Sequence, residues 1–348
     1  MKYVLPILLS LVLSAAGCGE QASSTGAESS EKSASAQSVS PASATVTQNV
    51  ASPAPKQSSK IVSVTAKAIE AAPGKNPSGK ATVTLLEAGA KDNRAPLRYK
   101  FKAGHSEPMV MRMKMGMEMD VPGMGVQKMD MPVMVMSMTT KVNSIGADGS
   151  AKLSFSIDKA EIEPGGNPMI AAQLQEMLKK FSGVKGGYGI TPRGITTDTN
   201  VDMTGVTDPQ IKKTMEQMRQ SMEQASSPLP VEPVGVGARW EVRQLVSADG
   251  MKVRQHIVYT LAARNGDVLD LTTTLSQDAD KQTISTPEMQ GMTAQLESYE
   301  AKGSGALKTN LAALVPTGSM QLKNSVVISA QGQRMKMGLD MKVDMGPK

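Results

Sequence analysis

Residues 109–121 read Met109-Val110-Met111-Arg112-Met113-Lys114-Met115-Gly116-Met117-Glu118-Met119-Asp120-Val121. Methionine stands at every second position, and nearly every charge stands between two methionines. Side chains of a strand alternate between its faces, so period two gathers the methionines on one face and the charges on the other. A helix would scatter both around its circumference. The segment is therefore expected to be a strand, although methionine is a good helix former.

Downstream, Pro122-Gly123 supplies a turn and a second methionine run returns as Met129, Met131, Met134, Met136 and Met138. Its parity changes across Pro132, which predicts a bulge or an edge there because proline cannot donate to a ladder. Ala147-Asp148-Gly149 makes the next turn, and Leu153, Phe155 and Ile157 continue as a third strand. Upstream, Leu97, Tyr99 and Phe101 stand at spacing two before a break at Gly104. One methionine-lined face and one solvated face is a common arrangement in antiparallel sheets.

Two helices are expected between strands. Asn167 as N-cap and Pro168 at the first helical position precede Ile170, Leu174, Met177, Leu178 and Phe181, with Gly183 as stop. Asp208-Pro209 opens a second, with the stripe Ile211, Met215, Met218 and Met222 ending before Pro228 and Pro230. Each stripe is narrow enough to cover one side of a sheet. Between the helices, Pro192-Arg193-Gly194 centres a hairpin. After Pro233 comes another three-strand meander, at Trp240–Val246, Val253–Leu261 and Leu269–Leu275, with turns at 248–250 and 264–267.

The final strands are expected at 292–303, 319–330 and 333–345. The last nearly repeats the first, since Arg334-Met335-Lys336-Met337-Gly338-Leu339-Asp340-Met341-Lys342-Val343 matches 112–121 in its alternation. If the two are neighbours, their outward charges can pair across strands. These segments predict an α+β fold, predominantly antiparallel β, with curved sheets built from two meanders and covered by two amphipathic helices. A glycine-containing stretch before three strands occurs at 104–157 and again at 237–275, consistent with internal duplication.

The N-terminus reads as an address. Lys2 precedes an apolar run from Val4 to Val12 that is too short to span a bilayer, followed by small residues up to Cys18. Leu13-Ser14-Ala15-Ala16-Gly17-Cys18 resembles the lipobox of bacterial lipoproteins, with Ala15 where leucine is commoner. The resemblance implies cleavage after residue 17 and lipidation of Cys18, the one cysteine of the chain. Acyl chains would then hold the protein at a membrane, each buried CH₂ contributing about 0.8 kcal/mol. Gly19 stands where aspartate would argue for inner-membrane retention, so the resemblance favours the outer membrane, facing the periplasm.

Residues 18–60 are rich in Ser and Ala, with twelve Ser among the 42 residues from Gly19 on. Such a segment buries too little to offset its ordering entropy and is expected to be a disordered tether with a reach of about 36 Å. Residues 61–96 are expected to form a loosely ordered extension in which Val83, Leu85 and Leu86 could make a short strand. The folded domain is expected at 97–346.

With Arg98-Tyr99-x-Phe101, Gly235–Trp240 before a meander and the closing methionine strand, residues 97–345 resemble uncharacterised bacterial envelope lipoproteins known only as a domain of unknown function. In architecture alone they resemble periplasmic lipoprotein carriers, whose curved sheet holds hydrophobic ligands. Neither resemblance implies a catalytic residue or a cofactor.

Composition narrows the chemistry. One cysteine excludes disulfides within the chain and cysteine-based zinc or iron–sulfur sites. A net charge of +6, from 38 Lys and Arg against 32 Asp and Glu, is thin and scattered, so nucleic acid is not an expected partner. No nucleophile elbow, phosphate loop, zinc-protease motif or dinucleotide fingerprint is present. His105 and His256 lie far apart and outside the methionine runs. The expectation is a protein that catalyses nothing.

Of 27 methionines, twelve fall between 109 and 138. Three uses are open. They can replace Leu and Val as core lining. They can line a plastic pocket for an apolar small molecule or an envelope protein, with Met111, Met113, Met115, Met117, Met134, Met136, Met335, Met337 and Met341 as candidates. Or soft thioethers at Met113, Met115, Met335 and Met337 can hold Cu(I).

Overall fold

The computed structural model describes residues 81–348 except 122, 124, 166, 205–211, 213–214, 217–218, 221, 223–226, 249–250, 285–292 and 331. The expected signal peptide, Cys18, the tether and residues 61–80 lie outside the described residues. Strands in chain order are β1 (Thr82–Glu87), β2 (Ser106–Val121), β3 (Gly125–Asp130), β4 (Met134–Ile145), β5 (Ala151–Ile162), β6 (Lys185–Ile190) and β7 (Thr196–Val201). They continue as β8 (Arg239–Ala248), β9 (Met251–Asn265), β10 (Val268–Ala279), β11 (Gln282–Ile284), β12 (Ala294–Asn310), β13 (Thr317–Ala330) and β14 (Gln333–Pro347). Helix α1 (Pro168–Lys179) lies between β5 and β6.

All fourteen strands form one antiparallel sheet in the order β1-β8-β9-β10-β12-β13-β14-β2-β4-β5-β6-β7, with β11 on β12 and β3 on β2. The expectation of curved sheets under two helices is corrected by this topology. There is one sheet, neither closed nor strongly curled, and one continuous helix among the described residues. The two meanders do not stand apart because β12, β13 and β14 sit between them and hydrogen-bond to both.

Helix α1 forms as its sequence directs. The Asn167 side chain accepts hydrogen bonds from the Met169 and Ile170 amides, Pro168 needs no partner at the first turn, and Leu174 and Leu178 are buried. The helix packs on β5 and so covers only one flank of the sheet. Of the second expected helix, Lys212, Met215, Glu216, Arg219, Gln220 and Met222 are described and helical, and Met215 and Met222 are buried; Ile211 and Met218 lie outside the described residues.

β2 is longer than either partner on one of its sides. β4 pairs with its first half (Ser106–Met113) and β3 with its second (Gly116–Val121). Met131-Pro132-Val133 steps between the two, and its backbone is still satisfied: the Met131 amide donates to the Met115 carbonyl at 3.0 Å, and the Val133 carbonyl accepts from the Glu163 amide at 2.8 Å. Proline at the step explains the parity change, since a missing N–H is harmless where no ladder bond is due.

The strand expected to end near 303 continues to Asn310. Gly303 and Gly305 are required inside β12: a Cβ at Gly303 would meet the Gln321 carbonyl oxygen at 2.7 Å, and one at Gly305 would meet Met320 Cγ at 2.8 Å. Leu97, Tyr99 and Phe101 are outside the ladder. Tyr99 donates its amide to Pro192 and Lys100 to Leu311, while the Arg98 guanidinium donates to the carbonyls of Leu97, Pro230 and Val231. The Arg-Tyr-x-Phe motif thus ties the 228–234 segment to the β6–β7 hairpin. Nearby, Gly89 comes so close to Gly235 and Ala238 that no side chain fits.

Candidate functional site

Cross-strand register arranges the inward side chains in rows that run across the sheet. One row passes through Trp240, Tyr259, Thr273, Gly305, Met320, Val343, Met113 and Met134. Trp240 and Tyr259 stack with centroids 5.5 Å apart. Methionine pairs stand directly opposite at Met111–Met345, Met115–Met341, Met119–Met337, Met111–Met136, Met113–Met134 and Met117–Met129. Opposed residues of an antiparallel pair lie about 4.5–5.5 Å apart, so these thioethers pack as couples.

The methionine face is uneven along its length. Met111, Met113, Met115, Met134, Met136 and Met341 are buried, Met115 to 1% exposure. Met117, Met119, Met129, Met335 and Met337 are only half-buried, as are Val326 and Ile328 opposite Met337 and Met335. These seven are contiguous by register, at the end of the sheet where β2 and β3 turn. The nine expected pocket residues therefore divide into six in the core and three, Met117, Met335 and Met337, at the open end.

The four methionines weighed for Cu(I) do not meet. Met113 and Met115 stand opposite Val343 and Met341, whereas Met337 stands four residues before Met341 and Met335 eight before Val343. At about 3.4 Å per residue, those separations are roughly 14 and 27 Å. Among the described residues no group of three or more His, Cys, Asp or Glu side chains is placed to hold a metal ion.

Polar groups inside the face escaped the sequence reading. Gln244, Gln255 and Gln277 stand in one row and are buried. Gln277 Nε2 donates to Gln255 Oε1 at 2.6 Å, and the Tyr299 hydroxyl donates to Gln277 Oε1 at 2.9 Å. Gln255 Nε2 has no partner among the described residues. This amide row is level with Leu339 and Met117, at the inner margin of the open end.

Each histidine meets a buried carboxylate. His105 Nε2 lies 2.5 Å from Glu107 Oε1, while Glu107 Oε2 accepts the Leu314 and Val315 amides at 2.8 and 3.0 Å. That carboxylate pins the β12–β13 connection over a small second cluster of Val142, Ala151, Leu153 and Ile190. His256 Nε2 lies 2.8 Å from Glu241 Oε2. Glu107 shares the parity of Met109 and Met111, a sequence signal that could have marked it as inward. Burial raises the Tyr259 phenol above its ordinary range, partly countered by its hydrogen bond to Ser227.

Residues 207–313 match a family of unknown function (DUF6263). The matched stretch holds β8 to β12 and the Gly235–Trp240 motif; β2, β3, β4 and β14, which carry most of the methionine face, fall outside it. No curated protein matches the chain.

Proposed function

We propose that the chain is a lipid-anchored protein of the bacterial cell envelope, on the periplasmic side of the outer membrane, that binds an apolar molecule and catalyses nothing. The observation that supports this reading is the half-buried end of the methionine face. Seven apolar side chains from β2, β3, β13 and β14 lie contiguous there without being sealed into the core. Flexible thioethers repack around guests of different shape, which Leu or Val does poorly. An acyl chain is the simplest guest, since it asks for apolar contact and little else. The buried methionines serve instead as core, and the copper reading is weaker because its four residues fall in two separated pairs.

Vesicles carrying the full-length chain and a trace of photoactivatable fatty acid test the proposal. Crosslinks are expected at Met117, Met119, Met335 or Met337 and should disappear in Met119→Asp and Met337→Asp. Crosslinks spread evenly over the surface, or unchanged in those variants, would remove the apolar site. Anchoring is tested apart from it: Cys18→Ser should release the chain from membranes or leave it uncleaved.

A further inference from the structure

The opposite, polar face of β2, β13 and β14, together with β12, carries an open cleft of about 680 Å³. Its floor is Val327, flanked by Ser298 and Ser325. Val327 is 6% exposed although it lies on the solvated parity of β13. On one side stand Arg334 and Lys336 of β14, and across the floor stands Glu300 of β12; Asp120 of β2 lies beyond Lys336, directly opposite it in register.

These four charges differ from their neighbours. Around them the outward charges are joined, Glu118 to Lys128 at 3.3 Å, Asp340 to Lys323 at 3.0 Å and Asp344 to Lys342 at 2.8 Å. No side-chain hydrogen bond or ion pair joins Asp120, Glu300, Arg334 or Lys336 to a described residue, even though Lys336 and Asp120 are cross-strand partners. Arg334 acts on Glu297 only at a distance, helping to lower that carboxyl after its bonds to Ser329 and Lys281. Unpaired charges cost little in water. Charges of both signs bracketing a buried aliphatic floor make a receptor for a molecule that carries both signs itself.

Spacing sets the size of that molecule. Glu300 and Lys336 are two strands apart and two residues out of register, about 12 Å at the usual strand spacings. An extended chain advances 3.3–3.6 Å per residue, so three or four residues span the gap, fewer where the charged side chains reach inward. The volume lies within the range of small-ligand sites, about 300–1,000 Å³. We propose that this cleft binds a short zwitterionic peptide, with its carboxylate on Arg334 and Lys336, its ammonium on Glu300, and an aliphatic side chain on Val327. Arg334 offers the forked donors that hold a carboxylate by two bonds.

Isothermal titration of the full-length chain in nonionic detergent with trialanine, N-acetyl-trialanine and trialanine amide tests this. Trialanine should bind saturably, and each blocked peptide at least tenfold more weakly. Arg334→Gln and Glu300→Gln should each weaken trialanine at least fivefold while melting at the parent temperature, because both side chains are exposed. Absence of saturable trialanine binding, equal binding of either blocked peptide, or unchanged affinity in both variants would overturn the proposal.

Discussion

Lys114 and Lys342 stand directly opposite each other across the β2–β14 ladder. The near-repeat of the two strands suggested that opposite charges would meet, but antiparallel pairing sets Lys against Lys at this position and confines matching to Arg112–Asp344 and Lys336–Asp120. Lys342 turns to Asp344 on its own strand, at 2.8 Å. Like charges opposed on a sheet are destabilising. Lys114→Glu should therefore raise the melting temperature, by the equivalent of about 0.2–1 kcal/mol and toward the lower end because both side chains are exposed. The gain should shrink in 1 M salt, which screening requires.

Removing the Glu107 carboxylate should loosen the β12–β13 connection. Glu107→Ala leaves two buried amides, Leu314 and Val315, without their acceptor. A loss of about 3 kcal/mol is expected in denaturant unfolding. Amide exchange at Leu314 and Val315 should quicken, and Glu107→Gln, which keeps an acceptor oxygen, should lose less.

Truncation along the methionine face should separate core from open end. Met115 is 1% exposed, so Met115→Ala should cost about 2–5 kcal/mol. Met337→Ala should cost clearly less, since its side chain is already part-exposed and the site can collapse. Met115→Leu keeps the volume and should stay within about 1.5 kcal/mol of the parent.

Tyr259 gives the fold an alkaline limit. Burial raises its phenol above the ordinary value near 10, so the unfolded chain loses that proton before the folded one does. The sign follows: the contribution is complete below about pH 10 and falls away as pH rises above it. Tyr259→Phe should flatten the decline in stability between pH 9 and 11, as measured by urea unfolding. At pH 7 it should lose about 0.5–1.5 kcal/mol through the missing bond to Ser227.

Period two at 109–119 made β2 readable without any structure, and the Asn167-Pro168 pair did the same for α1, because both signals are local. Strand order was not readable. That β12, β13 and β14 sit between the meanders depends on pairing between residues some two hundred positions apart, as at Asp344 and Arg112. The place of Gly303 and Gly305 was hidden for a related reason: what demands glycine there is the backbone and side chains of β13. Parity alone placed the methionines inward, but which of them are sealed depends on the packing above, so Met115 and Met337 look alike in sequence. The Gln244, Gln255 and Gln277 row hides because one amide per strand among apolar neighbours has no pattern until the strands are set side by side.

β1 is six residues long, lies at an end of the sheet and, among the described strands, pairs with β8 alone. Tension arriving along the polypeptide from before Ala81 is borne first by this strand. Five register partners link it to β8, so a modest load peels it away while the long ladders of β12, β13 and β14 carry none. β1 would behave as a mechanical fuse, yielding at the margin and sparing the methionine-lined strands from deformation.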